Sequence, residues 1–269
     1  MMKRTALSAV VTVGLASIFQ QAYADPVRAS VAQTTAEQPW VTAQTVLDAT
    51  ETDLQTGGLL AVAAHVADLE HALADARQPA ASPGAGTAYV LADGPTETLV
   101  ALAAAAADRH APAGQKVVAL NNPYPAISLY LGSYYNEVGK PEDAMRVLDA
   151  GLALENSTLG LHQPLLISER GAALASMKRW PDALANYDKG LAVAGLEDRA
   201  RARLYRGRGF ALTELRRLDE AEQAYRESLK LDPGNAIAQQ ELEYIAHLRA
   251  GGATEPAGIT VPQTQSKSQ

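Results

Sequence analysis

Three glycines in the second half of the chain are each followed, twelve residues later, by an alanine preceded by an acid. The sets are Gly132 with Asp143-Ala144, Gly171 with Asp182-Ala183, and Gly209 with Glu220-Ala221. Four residues beyond each alanine stands a large side chain (Leu148, Tyr187, Tyr225), and three further on a small residue (Gly151, Gly190, Ser228). The glycines lie 39 and 38 residues apart. Small residues at matched places let two helices approach closely, and a large one fills the space beside them. A unit of this size cannot bury its apolar face alone, so three in a row constrain the chain to a stack of helical pairs.

The same positions resemble the tetratricopeptide repeat (TPR) family, whose unit is a helix–turn–helix of ~34 residues. In the first unit the match runs through Leu131-Gly132, Tyr135, Gly139, Ala144 and Leu148, and the third closes on Leu229-Lys230-Leu231-Asp232-Pro233-Gly234-Asn235. The resemblance implies an all-α fold: a solenoid of about three TPR units (125–158, 164–197 and 202–235) with a capping helix at 236–250. Pro125 and Pro164 stand at the first helical position of their units, where the missing N–H costs nothing. The chain departs from the family in Arg170 and Arg208, which replace the leucine before the glycine, and in Gly195, which replaces a closing proline. Its longer spacing implies longer second helices or longer loops.

In the family the first helix of each unit lines a concave, protein-binding surface. Carried over by position, that groove presents Leu129, Ser133 and Asn136, then Ser168, Ala172 and Ser176, then Arg203, Arg206, Phe210 and Thr213. Arg199, Arg203, Arg206 and Phe210 share one helix face. They suit a partner that carries carboxylates and an apolar group, or they form a solvated basic face paired with Glu197 or Asp198. The key asparagine of the family's carboxylate-clamp subclass is replaced by Tyr130, Glu169 or Gly207, so a chaperone-tail ligand is not expected.

The first half is less regular. Residues 25–39 are polar and read as loose, and 40–121 as a smaller, mostly helical region broken by a Pro/Gly linker at 78–88. Leu59, Val62, Val66, Leu69 and Leu73 form one apolar stripe of a helix. It either packs on its own domain or pairs between copies in a self-associating structural protein. Thr96–His110 reads as an alanine-rich helix, and Lys116–Leu120 as a short extended piece. Tyr124, Tyr130, Tyr134 and Tyr135 form either an aromatic binding spot or packing, with Tyr135 in the repeat core and Tyr130 and Tyr134 over the alanine helix. The same cluster is the one place where a small-molecule or glycan pocket is conceivable. Residues 251–269 read as a disordered tail.

Residues 1–24 carry the marks of a signal peptide: Lys3-Arg4, an apolar run from Ala6 to Phe19, and Ala22-Tyr23-Ala24 before the cut. A periplasmic or secreted mature protein with no transmembrane segment is therefore expected. The net charge is −7, so there is no global basic field apart from the local arginine cluster, and nucleic acid is not an expected partner. The absence of cysteine excludes disulfides and thiolate chemistry. His65 and His71 are six residues apart and cannot form an i, i+4 metal pair, and no HExxH, GxSxG or P-loop motif occurs. The expectation is a non-enzymatic adaptor without cofactor or metal, binding an envelope protein, with homo-oligomerisation left open.

Overall fold

The computed structural model describes residues 39–76, 86–154 and 160–253. The expected signal peptide, the loose segment up to residue 38, linker residues 78–85, the end of the first unit (155–158) and the tail from 254 lie outside them.

The repeat region is three helical hairpins: α4 (Tyr124–Glu137) with α5 (Pro141–Leu154), α6 (Gln163–Ser176) with α7 (Trp180–Leu191), and α8 (Asp198–Glu214) with α9 (Leu218–Leu231). A last helix, α10 (Ala236–Arg249), closes the stack. Asn235 starts it by accepting a hydrogen bond from the Ala238 N–H at 3.0 Å. The extra length of the second unit lies in the connection 192–197, which exceeds the 232–235 connection of the third.

Each hairpin is locked as the spacing requires. A β-carbon added at Gly132 would sit 2.5 Å from the Leu148 side chain, and one at Gly209 would sit 2.8 Å from the Tyr225 ring. Tyr187 does this twice, because a β-carbon at either Gly171 or Gly207 would fall well inside 3.0 Å of its ring. That ring therefore joins the second unit to the third and is fully buried. Burial pushes its phenol well above the usual tyrosine range. Ala144, Ala183 and Ala221 are likewise sealed at the helix contacts.

The turn inside each hairpin passes through the left-handed region seven residues after the glycine: Gly139 at φ 73°, Lys178 at φ 58° and Arg216 at φ 63°. Glycine adopts this freely, whereas a residue with a β-carbon loses about 1 kcal/mol. Acidic residues then open the second helices (Glu142-Asp143, Asp182, Asp219-Glu220), where they complement the helix dipole.

Arginines tie successive layers along the outside. Arg146 reaches Glu70 at 2.9 Å, Arg170 reaches Asp149 at 2.6 Å, Arg208 reaches Asp188 at 2.7 Å, and Arg249 reaches Asp219 at 2.5 Å. Arg170 and Arg208 are the two departures from the family's leucine, so each exchanges apolar packing for a bond to the previous hairpin.

The first half adds another helical layer. Helix α1 (Pro39–Gly57), a 3₁₀ segment (Leu59–Ala64) and α2 (Val66–Asp75) pack together and onto α4. The Leu59–Leu73 stripe packs on its own chain: Leu59, Val62, Leu69 and Leu73 are buried and Val66 is half-buried. The stripe is also not one helix, because the chain breaks at His65 between the 3₁₀ segment and α2.

Between α2 and α4 lies the one feature that is not helical among the described residues. β1 (Thr87–Ala92) and β2 (Lys116–Asn121) pair in parallel, in register from Thr87↔Lys116 to Ala92↔Asn121, with α3 (Pro95–Ala107) as the crossover. The linker expected at 78–88 therefore stops short, with residues 87 and 88 already in a strand. Tyr89, Leu91, Val118 and Leu120 join the hydrophobic core; by alternation, Ala88, Val90, Val117 and Ala119 face the other way, toward α3. Tyr130 and Tyr134 do not cover the alanine helix, as expected above. Helix α3 packs mainly on the strands, while Tyr130 donates to Glu51 of α1 at 3.1 Å and Tyr134 leans on Tyr135.

The strand unit is stapled to the second hairpin by buried polar groups. Asp93 accepts from the His162 N–H at 2.8 Å and lies 2.7 Å from His162 Nδ1, while its carbonyl accepts from the Leu161 N–H at 3.0 Å. Its own N–H donates to Glu97 in the first turn of α3.

Candidate protein-interaction surface

The inner helices α4, α6 and α8 lie side by side, as the groove requires, but they close over most of it. Helix α4 is enclosed by α1, the 3₁₀ segment and α2 on one side and by α5 and α6 on the others. Leu129 and Ser133 are each only 1% exposed and cannot present themselves to a partner. Asn136 is buried as well, and its amide donates to the backbone and carboxylate oxygens of Glu169, both at 3.0 Å.

Ser168 and Arg203 meet across two units. The Arg203 Nε donates to Ser168 Oγ at 2.8 Å, and a second guanidinium nitrogen binds the buried Glu169 carboxylate. The partner of Arg203 is thus Glu169, not Glu197 or Asp198. Arg203 keeps an edge in solvent, with 17% of its side chain exposed.

Arg206 was expected in the groove and is corrected by the structure. Its guanidinium is buried against Ser228 and Asp232, both at 3.2 Å. Burial holds its pKa below the usual arginine value; Arg203 and Arg199 push the same way and Asp232 opposes them. Phe210 is also withdrawn, its ring edge-on to Trp180 with centroids 5.8 Å apart. Thr213 is buried and returns its hydroxyl to the Gly209 carbonyl at 2.9 Å. Close packing takes these positions in three ways: Asn136, Arg203 and Phe210 become contacts between hairpins, Arg206 is held by the second helix of its own hairpin and the residue that follows it, and Thr213 bonds within its own helix.

Half-buried Ala172, exposed Ser176 and the free edge of Arg203 remain of the groove set. The residue that spacing alone did not single out is Glu169. It meets Asn136 of the first unit and Arg203 of the third, at separations of 33 and 34 residues. Those separations fall six and four residues short of the 39- and 38-residue repeat offsets, so the contacts join positions that are not equivalent in successive units.

A second polar cluster lies at the N-terminal layer. Glu70 of α2 accepts from Tyr135 at 2.8 Å and from Arg146 at 2.9 Å. Burial works to raise the Glu70 pKa, but the bonds from Arg146 and Tyr135 outweigh it and hold the carboxyl below its usual value. The Tyr135 phenol is pushed up to about 12, first by burial and then by Glu70. Among the described residues no three His, Cys, Asp or Glu side chains are grouped to hold a metal, and no helix is long and apolar enough to cross a membrane.

The fold defines a helix–turn–helix repeat protein. Residues 163–233, which span the second and third hairpins, match the family model for the tetratricopeptide repeat. Human RNA polymerase II-associated protein 3 is 31% identical over 139 residues, covering 51% of this chain and 20% of that protein. The chain thus spans about one fifth of the relative's length. The NMR structure of the first TPR domain of human RPAP3 is 25% identical with a TM-score of 0.42, over 48% of this chain and 94% of that one. The first TPR of Spaghetti (RPAP3), bound to the HSP90 peptide SRMEEVD, is 24% identical with a TM-score of 0.42, over 49% and 97%.

Proposed function

We propose that the chain is a non-catalytic adaptor of the bacterial envelope, exported behind residues 1–24 and cut after Ala24, that holds a peptide or helix of another envelope protein on the inner face of its repeats. The observation that carries the binding reading is what stays open of the inner-face set: half-buried Ala172, exposed Ser176 and part-exposed Arg203. The Arg203 guanidinium is already pointed by Ser168 and Glu169. A partner carboxylate sharing that guanidinium needs little reordering, because the arginine is held before the partner arrives. Export is supported by the sequence marks alone: the charged start, the apolar run and the Ala22-Tyr23-Ala24 site.

The test follows from what can be changed without unfolding. Removing Arg203 would strand the buried Glu169 charge, a loss of about 3–5 kcal/mol for a broken buried pair, and would confuse binding with stability. Ser176 is exposed, so Ser176→Trp fills the opening at no cost to the core. Crosslinking from intact cells, followed by fractionation, should yield a periplasmic protein lacking residues 1–24 with a partner that Ser176→Trp no longer captures. An uncut protein in the cytosol would defeat the envelope reading; identical captures by both forms would defeat the inner-face reading.

A further inference from the structure

Helix α3 inverts the usual division of a surface helix. Its one charged side chain, Glu97, is buried, while Leu99 is 70% and Val100 46% exposed. The side that packs on the strands carries Thr98, Ala101, Leu102 and Ala105, all half-buried. Thr96, Leu99, Val100, Ala103 and Ala107 share the opposite face, and all five are exposed. The patch continues past the start of the helix, where exposed Leu161 donates its N–H to the Asp93 carbonyl. Three of the five large apolar side chains exposed among the described residues therefore gather here. A helix apolar on all sides is one that is covered on all sides, and an open apolar patch marks a contact surface.

Shape and charge both say what covers it. Leu99 and Val100, the larger side chains, stand in the first half of the face, and Ala103, Ala104 and Ala107 stand in the second. Turned end for end about a two-fold axis level with Ala101-Leu102, the face fits itself. Leu99 then lies over Ala104 of the second copy, Val100 over Ala103 and Thr96 over Ala107. A two-fold contact needs this self-complementarity, and large against small is how facing helices interdigitate. No charged side chain stands on the face, so two chains of net charge −7, which repel elsewhere, can approach there. Asp108 closes the C-terminal end of α3, where a carboxylate opposes the dipole of its own helix, while the start at Gly94 has no side-chain cap. The antiparallel copy brings each Asp108 to the uncapped first turn of the other.

We propose that α3 is a self-association surface, on which a second copy of this chain docks its own α3 antiparallel across a two-fold axis. At 13 residues the helix is about 20 Å long. The contact lies at the small end of specific interfaces, so the dimer is weak, with a Kd of roughly 10–100 µM. It involves neither the Leu59–Leu73 stripe nor any residue of the inner-face set, and it stands independently of the binding reading.

Sedimentation equilibrium of the mature chain from about 1 to about 300 µM should show monomer and dimer only, with association tightening as salt screens the like charges. Leu99→Glu puts a charge into the contact and should raise the Kd at least tenfold. At a concentration where the protein is monomeric it should leave the melting temperature unchanged, as an exposed position allows. Because the chain has no cysteine, introduced cysteines read the register. Thr96→Cys mixed with Ala107→Cys should give a disulfide-linked dimer on mild oxidation. Ala107→Cys alone should not, its two copies standing about 16 Å apart along the helices. A monomer throughout the concentration range overturns the proposal. So does a dimer indifferent to Leu99→Glu, which places the contact elsewhere, or a disulfide from Ala107→Cys alone, which makes the pair parallel. A lower melting temperature for monomeric Leu99→Glu would mean that the chain covers this face itself. Binding of the monomer to phosphatidylcholine vesicles in place of dimerisation, lost in Leu99→Glu, would mean that a lipid surface does; either result overturns it.

Discussion

The Tyr187 ring is the place to test whether close packing holds the repeats together. Gly171→Ala and Gly207→Ala each add one methyl closer than 3.0 Å to ring carbons, well inside van der Waals contact. The ring is fully buried between two helices and cannot swing out. Overpacking of this kind costs about 1–3 kcal/mol, against which alanine recovers up to ~1 kcal/mol of helix propensity. Ring carbons at 2.4 Å and 2.3 Å from the added methyls put the cost in the upper half of that range, so the net loss is about 1–2 kcal/mol, or a fall in melting temperature of roughly 2–8 °C for a domain of this size. Calorimetry on each single variant, and on each combined with Tyr187→Leu, separates the clash from any general effect. The smaller side chain makes room, so each alanine should cost less when combined with Tyr187→Leu, with a coupling above ~0.5 kcal/mol. Gly234→Ala is the control: nothing lies within 4 Å of its added carbon, and its melting temperature should hold or rise slightly. Unchanged stability for both alanine variants, with no coupling to Tyr187, would refute the argument that the ring is clamped.

Arg170→Leu and Arg208→Leu restore the family residue but lose bonds whose acidic partners are about half exposed. Exposed pairs contribute little, so each change should stay within about 1 kcal/mol and flatten the dependence of melting temperature on salt. His162→Phe keeps the ring volume and removes the bond to buried Asp93; a loss of about 1–3 kcal/mol and faster hydrogen exchange in β1 and β2 are expected. The Tyr124 and Tyr135 phenols are raised to about 12 by burial, with Asp75 and Glu70 as the further causes. Their contribution is full below pH ~10, the ordinary tyrosine value, and declines as pH rises from there toward the folded value of about 12. A stability–pH curve that stays flat over that window would contradict it, and Tyr135→Phe should remove part of the slope. Glu70, held low, contributes above its ordinary value near 4.5 and loses that contribution as pH falls through the lower folded one.

Why the repeats were legible and the groove was not comes down to what periodicity encodes. The glycine, alanine and large residue of each hairpin recur because the helix crossing demands them, and Gly132 on Leu148 is that demand met. Periodicity also places Arg203 and Arg206 on one face, but it does not say what stands opposite. Glu169, Ser228 and Asp232 supply that answer from other helices. Lys116–Leu120 read as extended and is β2, but its partner β1 was missed for a local reason. Alanine recurs in residues 88–92 and in the crossover alike, and alanine reads as helix unless a sheet partner is known. Leu59–Leu73 repeats like a single helix because the 3₁₀ segment and α2 present the same side to α4 across the break at His65.

The strand unit is a detour in an otherwise continuous stack: α2 touches α4 although residues 76–123 run between them. In kinetic terms this divides the molecule. The bonds that join the three hairpins span less than one repeat, such as 21 residues for Arg170–Asp149 and 20 for Arg208–Asp188. Those that seat the N-terminal layer close loops of 79 residues (Tyr130–Glu51) and 65 residues (Tyr135–Glu70). Loop closure is an entropic barrier that precedes the reward of contact. The hairpins can therefore assemble from neighbour to neighbour, while the N-terminal layer waits for the detour to fold and bring it home.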